Sequence, residues 1–199
     1  MQKIEITYLS EQEYLASELV SNIKREYIDG QAYAMAGASD NHGRIAMNIA
    51  SEFRNHLKGS PCEAFIADMK VGSAKAGKKD KDYFYPDVLV DCRDGSADSY
   101  LAQAPKIIIE VLSKSTKKLD FTTKLIRYIN LPSLLEYVLI EQDFVSVVVF
   151  RKSNHWVPCY YFIDDAVTFD SIGLTLSVEE IYDRVDNGDM IEFRQTKAK

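Results

Sequence analysis

The sequence predicts an α/β fold with a mixed sheet, and three observations carry that expectation. Residues 106–113 read Lys-Ile-Ile-Ile-Glu-Val-Leu-Ser, an apolar run bounded by Ala104-Pro105 upstream and Ser113-Lys114-Ser115-Thr116 downstream. A short run of this kind between turn signals is a strand covered on both faces, the centre of a sheet. A helix-length segment and a second apolar run, 136–141, follow it in strand–helix–strand order. Upstream, Ile45, Ile49, Phe53 and Leu57 recur every four residues, the stripe of an amphipathic helix packed on a sheet.

Taken in order, Ser10-Glu11-Gln12-Glu13 is a capping box opening a short helix through Tyr14, Leu15, Leu19 and Val20. Runs 23–28 and 31–35 flank Asp29-Gly30, a two-residue hairpin turn. Ser39 or Asp40 caps the amphipathic helix and Gly59 ends it. One strand is expected over 62–71, a lysine- and glycine-rich loop over 72–82, and another strand over 83–91 with Pro86 at a start or bulge. Thr116 caps a helix reaching Asn130, closed by Leu131-Pro132. Strands over 136–141 and 144–151 join through a tight Gln142-Asp143 turn, and 156–163 adds another. Ser177 caps a last short helix, and the residues after Gly188 read as a frayed tail. With no repeat or linker, 1–199 reads as one domain: a helix and hairpin at 10–36, a core at about 39–151, and strands with a short helix at 155–185.

Composition narrows the function classes. No run of about eighteen apolar residues predicts a membrane span, and Met1-Gln2-Lys3-Ile4-Glu5 lacks a signal-peptide core, so the expected compartment is the cytoplasm. Cys62, Cys92 and Cys159 are odd in number, far apart and free of CxxC spacing. The expectation is reduced, buried thiols rather than a disulfide framework or zinc knuckle. A formal charge of −6 argues against a uniformly basic nucleic-acid surface. Its distribution is uneven: Lys70, Lys75, Lys78, Lys79 and Lys81 crowd one stretch, Lys106, Lys114, Lys117, Lys118, Lys124 and Arg127 another, and the tail is acidic. A negative total can hide a positive groove.

The chemistry centres on Glu110. Side chains alternate along a strand, so Glu110 shares a face with Ile108 and Leu112. Such a carboxylate needs a cation, a raised pKa or a metal ion. Asp87 lies near the start of the neighbouring predicted strand, and the following helix places Phe121, Lys124, Leu125 and Tyr128 on one face. Two readings stay open at this point. Asp87 and Glu110 hold a hard divalent cation, or Glu110 and Lys124 form a buried ion pair that supports the fold. No nucleophile elbow, phosphate-cradling loop, dinucleotide fingerprint or HExxH is present.

Several phrases together resemble one family. They are Glu26-Tyr27-Ile28-Asp29-Gly30, His42-Gly43, Tyr85-Pro86-Asp87-Val88, and Ile109-Glu110-Val111-Leu112-Ser113 with Ser115-Thr116. Asp120, Lys124 and Tyr128 follow, then Glu136-Tyr137-Val138-Leu139-Ile140. Ordered and correctly spaced over residues 8–185, they resemble the Uma-two family of restriction-endonuclease-like proteins, a branch of the PD-(D/E)XK nuclease superfamily. The resemblance implies a restriction-endonuclease-like mixed β-sheet flanked by helices. It implies Asp87 and Glu110 as the two acids, with the Val111 carbonyl as a further metal ligand. The superfamily's lysine, two positions after the second acid, is here Leu112, so the amine must come from elsewhere. Lys124 is the first candidate and Lys70 the second.

The function so implied is a Mg2+- or Mn2+-dependent endonuclease acting on DNA, with double-stranded DNA and a second copy of the chain as expected partners and no membrane. Lys75, Lys78, Lys79, Lys114, Lys117 and Lys118 are the expected backbone-phosphate contacts. Glu26 is either a further metal ligand or an ion-paired strand residue. His42, in the first turn of its helix, either makes a capping or core hydrogen bond or touches phosphate. A nucleic-acid-binding or regulatory homodimer that no longer cuts, motivated by Leu112, is the alternative on the same fold. A purely structural or protein-binding homodimer is the third.

Overall fold

The structure is a computed structural model that describes residues 8–74, 80–92 and 99–197. A six-stranded mixed sheet forms its middle layer, with strand order β10-β9-β8-β7-β6-β3. These strands are β3 (Glu63–Ile66), β6 (Val88–Asp91), β7 (Pro105–Leu112), β8 (Glu136–Glu141), β9 (Val147–Arg151) and β10 (Pro158–Tyr161). Only β7 and β8 run parallel; every other pairing is antiparallel. The strand expected from residues 106–113 is β7, and its side chains supply both cores.

On one face, Ile107, Ile109 and Val111 meet Ile45, Ile49 and Phe53 of helix α2 (Asp40–His56), which Ser39 caps. On the other, Ile108 and Leu112 meet Tyr128, Tyr137 and Phe84. A second sheet, ordered β2-β1-β5-β4, covers part of this face. It contains β1 (Arg25–Ile28), β2 (Gln31–Ala34), β4 (Val71–Ala74) and β5 (Lys81–Phe84). The β1–β2 hairpin turns through Asp29 and Gly30, both at positive φ, as the Asp-Gly pair requires.

Helix α1 (Glu11–Glu18), opened by the Ser10 capping box, lies on the outer face of this second sheet. Tyr14 stacks on Tyr27 with ring centroids 4.7 Å apart, and Tyr83 completes the group. Gly72 makes that packing possible, because a Cβ there would stand 2.8 Å from the Tyr83 ring.

The segment after β7 is a composite helix. It runs through α3 (Lys117–Leu119), a π-helical turn (Asp120–Lys124) and α4 (Leu125–Tyr128). Thr116 makes no side-chain capping bond, contrary to expectation. The remaining elements are the hairpin β11 (Ala166–Phe169) and β12 (Leu174–Ser177), then α5 (Val178–Ile181) and α6 (Gly188–Lys197).

Several boundaries correct the sequence reading. The strand expected over 62–71 is two strands in two sheets, β3 and β4, with Ala67 at positive φ between them. The strand expected over 83–91 likewise divides into β5 and β6 at Tyr85-Pro86-Asp87. Both ends of the expected loop are strand: residues 72–74 belong to β4 and 81–82 to β5. Helix α6 replaces the frayed tail, and its Met190 is buried in the core beside α2.

The cysteines also differ from expectation. Cys62 and Cys92 form a disulfide across the end of the β3–β6 pair, where Glu63 faces Asp91. Residues a step beyond a paired position in an antiparallel ladder stand opposite one another, a register that sequence spacing does not reveal. Cys159 is free. Maleimide labelling of denatured, unreduced protein should therefore modify Cys159 alone, and all three cysteines after reduction. Replacing both Cys62 and Cys92 by serine should lower stability by roughly 3–4 kcal/mol in urea titrations, the value for a loop of about thirty residues.

Candidate active site

The central strands bring the two predicted acids together. Val88 pairs with Ile109, so the antiparallel register carried one residue further sets Asp87 opposite Glu110. Opposed residues in such a ladder project from the same face. The Val111 backbone N–H donates to Asp87 Oδ2 at 2.7 Å and locks that carboxylate against the end of β7.

The composite helix supplies the cation. Its π-helical turn buries both Asp120 and Lys124, turning them toward β7. The Lys124 ammonium, only 4% exposed as a residue, stands 3.0 Å from Glu110 Oε1, 3.0 Å from Glu26 Oε1 and 3.2 Å from Asp120 Oδ1. Three carboxylates from three different elements thus meet one ammonium, whose three hydrogens match them in number. Tyr128, one helical turn beyond Lys124, donates its hydroxyl to Glu110 Oε1 at 3.0 Å. The Tyr85 N–H donates to Glu26 Oε1 at 3.4 Å, and Tyr137 donates to the Asp120 backbone carbonyl at 3.0 Å.

Burial and mutual repulsion set the protonation balance. Burial pushes Glu110 well above the usual carboxylate range; Lys124 opposes that shift, while Asp120, Asp87 and Glu26 add to it. Asp120 is raised for the same leading reason, again opposed by Lys124. Burial alone would discharge Lys124, but Glu110, Glu26 and Asp120 outweigh it and hold the ammonium well above its ordinary range. Tyr128 is pushed up strongly by burial and by Glu110.

His42, from the first turn of α2, places Nε2 3.2 Å from Asp87 Oδ2. Burial lowers its pKa, but the Asp87 carboxylate and the Val111 backbone carbonyl reverse this and raise it. His42 therefore meets the same two groups, Asp87 and the Val111 carbonyl, that the resemblance assigns to a metal.

The residues present fit a hard divalent cation. Asp87 Oδ2 and Glu110 Oε1 carry all the bonds described above, leaving Asp87 Oδ1 and Glu110 Oε2 without a hydrogen-bond donor among the described residues. Asp120 Oδ1 faces Lys124 yet accepts no well-directed hydrogen bond. Four carboxylates thus surround one lysine and one histidine, an excess of negative charge on oxygen. Among the described residues, no group of three or more His, Cys, Asp or Glu side chains is arranged to hold a metal ion. Mg2+ needs only one or two carboxylates, with water filling the rest of its shell.

The other sequence candidates lie elsewhere. Along β4, Val71 turns into the core shared with Phe84, so Lys70 emerges on the opposite face of the second sheet from Glu26. Its ammonium stands 5.8 Å from the Tyr85 ring, and the structure does not bring it to the acids. Lys114, Lys117 and Lys118 are exposed just past the end of β7 where Glu110 sits. Lys117 pairs with Glu141 at 2.6 Å, and Lys114 stands 3.8 Å from Asp143. Lys75, Lys78 and Lys79 fall outside the described residues. Leu112 is buried in the core. The cluster member to which the sequence analysis gave no role is Asp120. Its signal was the four-residue stripe Asp120, Lys124, Tyr128.

Comparison with known proteins agrees with this arrangement of strands. A model of the Uma2 family, described as "Putative restriction endonuclease", matches residues 11–179. The chain belongs to the Uma2 family. Two proteins of Synechocystis sp. (strain ATCC 27184 / PCC 6803 / Kazusa) are similar to it. Uncharacterized protein slr1290 is 35% identical over 178 residues, covering 87% of this chain and 91% of its own. Uncharacterized protein sll1609 is 34% identical over 147 residues, covering 72% and 81%. The crystal structure of "a putative nuclease belonging to DUF820" from Anabaena variabilis ATCC 29413 shares the fold. Its TM-score is 0.70 at 18% identity, over 87% of this chain and 97% of that one. The Uma2 fold is thus the restriction-endonuclease-like α/β architecture expected from the sequence.

In this Uma2 protein, the charge balance at Lys124 has a measurable consequence. Glu110 and Asp120 keep their protons to higher pH in the folded chain than in the unfolded one. The folded state therefore binds more protons above the ordinary carboxyl range, and stability falls as pH rises through that window. Lys124→Met removes the opposing charge and should cost about 3–5 kcal/mol near pH 8. The loss should shrink toward pH 5 as the carboxyls take up protons. Urea titrations of the wild type and variant across this range measure both effects.

Proposed function

We propose that the protein is a metal-dependent endonuclease that hydrolyses phosphodiester bonds in double-stranded DNA, with Mg2+ or Mn2+ held by Asp87 and Glu110. The observation that carries this reading is the opposition of those two acids, Asp87 just before β6 and Glu110 on the adjacent β7, each with one uncommitted oxygen, beside a buried lysine. Membership of the Uma2 family supports it, as does the likeness of fold to a protein described as a nuclease.

When bound, the cation supplies positive charge to the phosphoryl oxygens and acidifies water. The Val111 carbonyl would add a third oxygen, and Glu26 stands across Lys124 from Glu110. The chain's own groups do the positioning. Val111 N–H and His42 orient Asp87, and Tyr128 orients Glu110. Glu26 and Asp120 keep the Lys124 ammonium charged and fixed. Release of its contact to Glu110 frees one N–H to hold the attacking water in line with the scissile bond, leaving 5′-phosphate and 3′-hydroxyl ends. Lys114, Lys117 and Lys118, joined by Lys75, Lys78 and Lys79, take the backbone phosphates. A cytoplasmic homodimer would present one such site to each strand.

Leu112 in the core and the full engagement of Lys124 favour a second reading, a nucleic-acid-binding module on this fold that does not cut. Incubation of supercoiled plasmid with Mg2+ or Mn2+ separates the two. Cleavage should fall at least about a hundredfold in Asp87→Asn and in Lys124→Ala, the scale of a lost electrostatic contact in a transition state. Undiminished cleavage in both variants removes the assignment; metal-independent binding without cleavage selects the second reading.

Phosphate contacts have their own signature. Log affinity for duplex DNA should fall linearly with log salt, and Lys114→Ala and Lys118→Ala should each reduce the slope by about one. Fluorescence anisotropy across a salt series measures it.

A further inference from the structure

A second buried lysine presents the opposite electrostatic problem. Lys70 is 6% exposed, and its ammonium has no hydrogen-bond acceptor and no carboxylate within ion-pair distance among the described residues. Lys124 has three carboxylates, and Lys24, whose ammonium also approaches the Tyr85 ring, pairs with Asp68. The contact of Lys70 with that ring, at 5.8 Å, offsets only a fraction of the desolvation of a buried cation. Among the described residues nothing supplies the remainder, and an anion would.

The surroundings indicate what kind of anion. Lys70 lines a cavity of about 180 Å3 on the outer face of the second sheet, between α1 and the segment at Tyr100 and Leu101. Leu15, Ala16 and Leu19 form one wall, Tyr100 and Leu101 the other, and Tyr83 lines it beside Lys70. The walls are held in place by the backbone. Lys70 N–H donates to the Tyr100 carbonyl at 3.3 Å, and Ala102 N–H donates to the Lys70 carbonyl at 2.8 Å. Leu19 and Tyr100 remain largely exposed at the rim. Phosphate or sulfate, strongly hydrated, needs several converging donors, and the lining side chains provide a single cation. An anion with one charge and an apolar body matches both halves of the cavity.

We propose that this cavity binds a small monocarboxylate with an aliphatic or aromatic body, its carboxylate on the Lys70 ammonium and its body between α1 and Leu101. The site is separate from the acid cluster, since the second sheet lies between them, and it does not rest on the nuclease reading.

Benzoate and hexanoate, titrated into the full chain and followed by NMR shifts of Leu15, Leu19 and Leu101 methyl groups, test it. Saturable shifts are expected below about 10 mM, with benzamide and inorganic phosphate at least about tenfold weaker. Lys70→Met should weaken benzoate at least about tenfold. Ala16→Phe, which fills the cavity from an exposed helix position, should abolish the shifts without changing the thermal midpoint. Asp87→Asn should leave them unchanged. No saturation by either acid, equal binding of benzamide, or unaltered binding in folded Ala16→Phe would each overturn the proposal.

Discussion

The constraint on which the structure turns is the buried Lys124 ammonium. Glu26 comes from the second sheet, Glu110 from the central strand and Asp120 from the helix itself. A single charge thus ties together three elements that sequence separation leaves far apart. Desolvating an ammonium and three carboxylates costs several kcal/mol per ion, so the cluster persists only while all its members are in place. The π-helical turn is part of this arrangement. Widening the helix by one residue in the hydrogen-bonding repeat lets Asp120 and Lys124 both be buried against the sheet. The site and the docking of the second sheet are therefore one feature, and a change at Lys124 reaches both.

The cluster is also unbalanced in a direction that matters for chemistry. One ammonium and one imidazole face Glu26, Asp87, Glu110 and Asp120. Part of the excess is relieved by raised carboxyl pKa values, and a divalent cation would relieve the rest. Lys124 and His42 each touch a carboxylate that the proposed metal needs, on the Glu110 and Asp87 sides respectively. The folded chain without metal is thereby protected from its own negative charge.

The central part of this arrangement was legible in the sequence because it breaks a simple rule. Glu110 in an oily strand and Lys124 on the buried stripe of a helix are each out of place alone and explained together. Asp120 was harder to see, since a polar residue near a helix start has ordinary explanations. The division of two expected strands between two sheets was invisible for a different reason. Apolar residues run on through Ala67 and through Tyr85-Pro86, and only the chain's change of direction there shows that the layers differ. The Cys62–Cys92 pair depends on strand register, which spacing does not encode, and α6 lacks the apolar stripe that marked α2. Local chemistry was readable; long-range pairing was not.

The two buried lysines show how one sheet can separate opposite requirements. Lys124 lies on the inner side of the second sheet with too many acids, and Lys70 on its outer side with none among the described residues. Across an open, wet surface such imbalances would be screened within about 8–10 Å. Here packed side chains stand between them: Phe84, Val71 and Met69 inside, Tyr83 and Tyr27 outside. Rearrangement could let the charges meet only by breaking the β4–β5 ladder, which both faces depend on. The inner face is left to attract cations and the outer to attract an anion, each through a charge that the fold holds in place but does not neutralise.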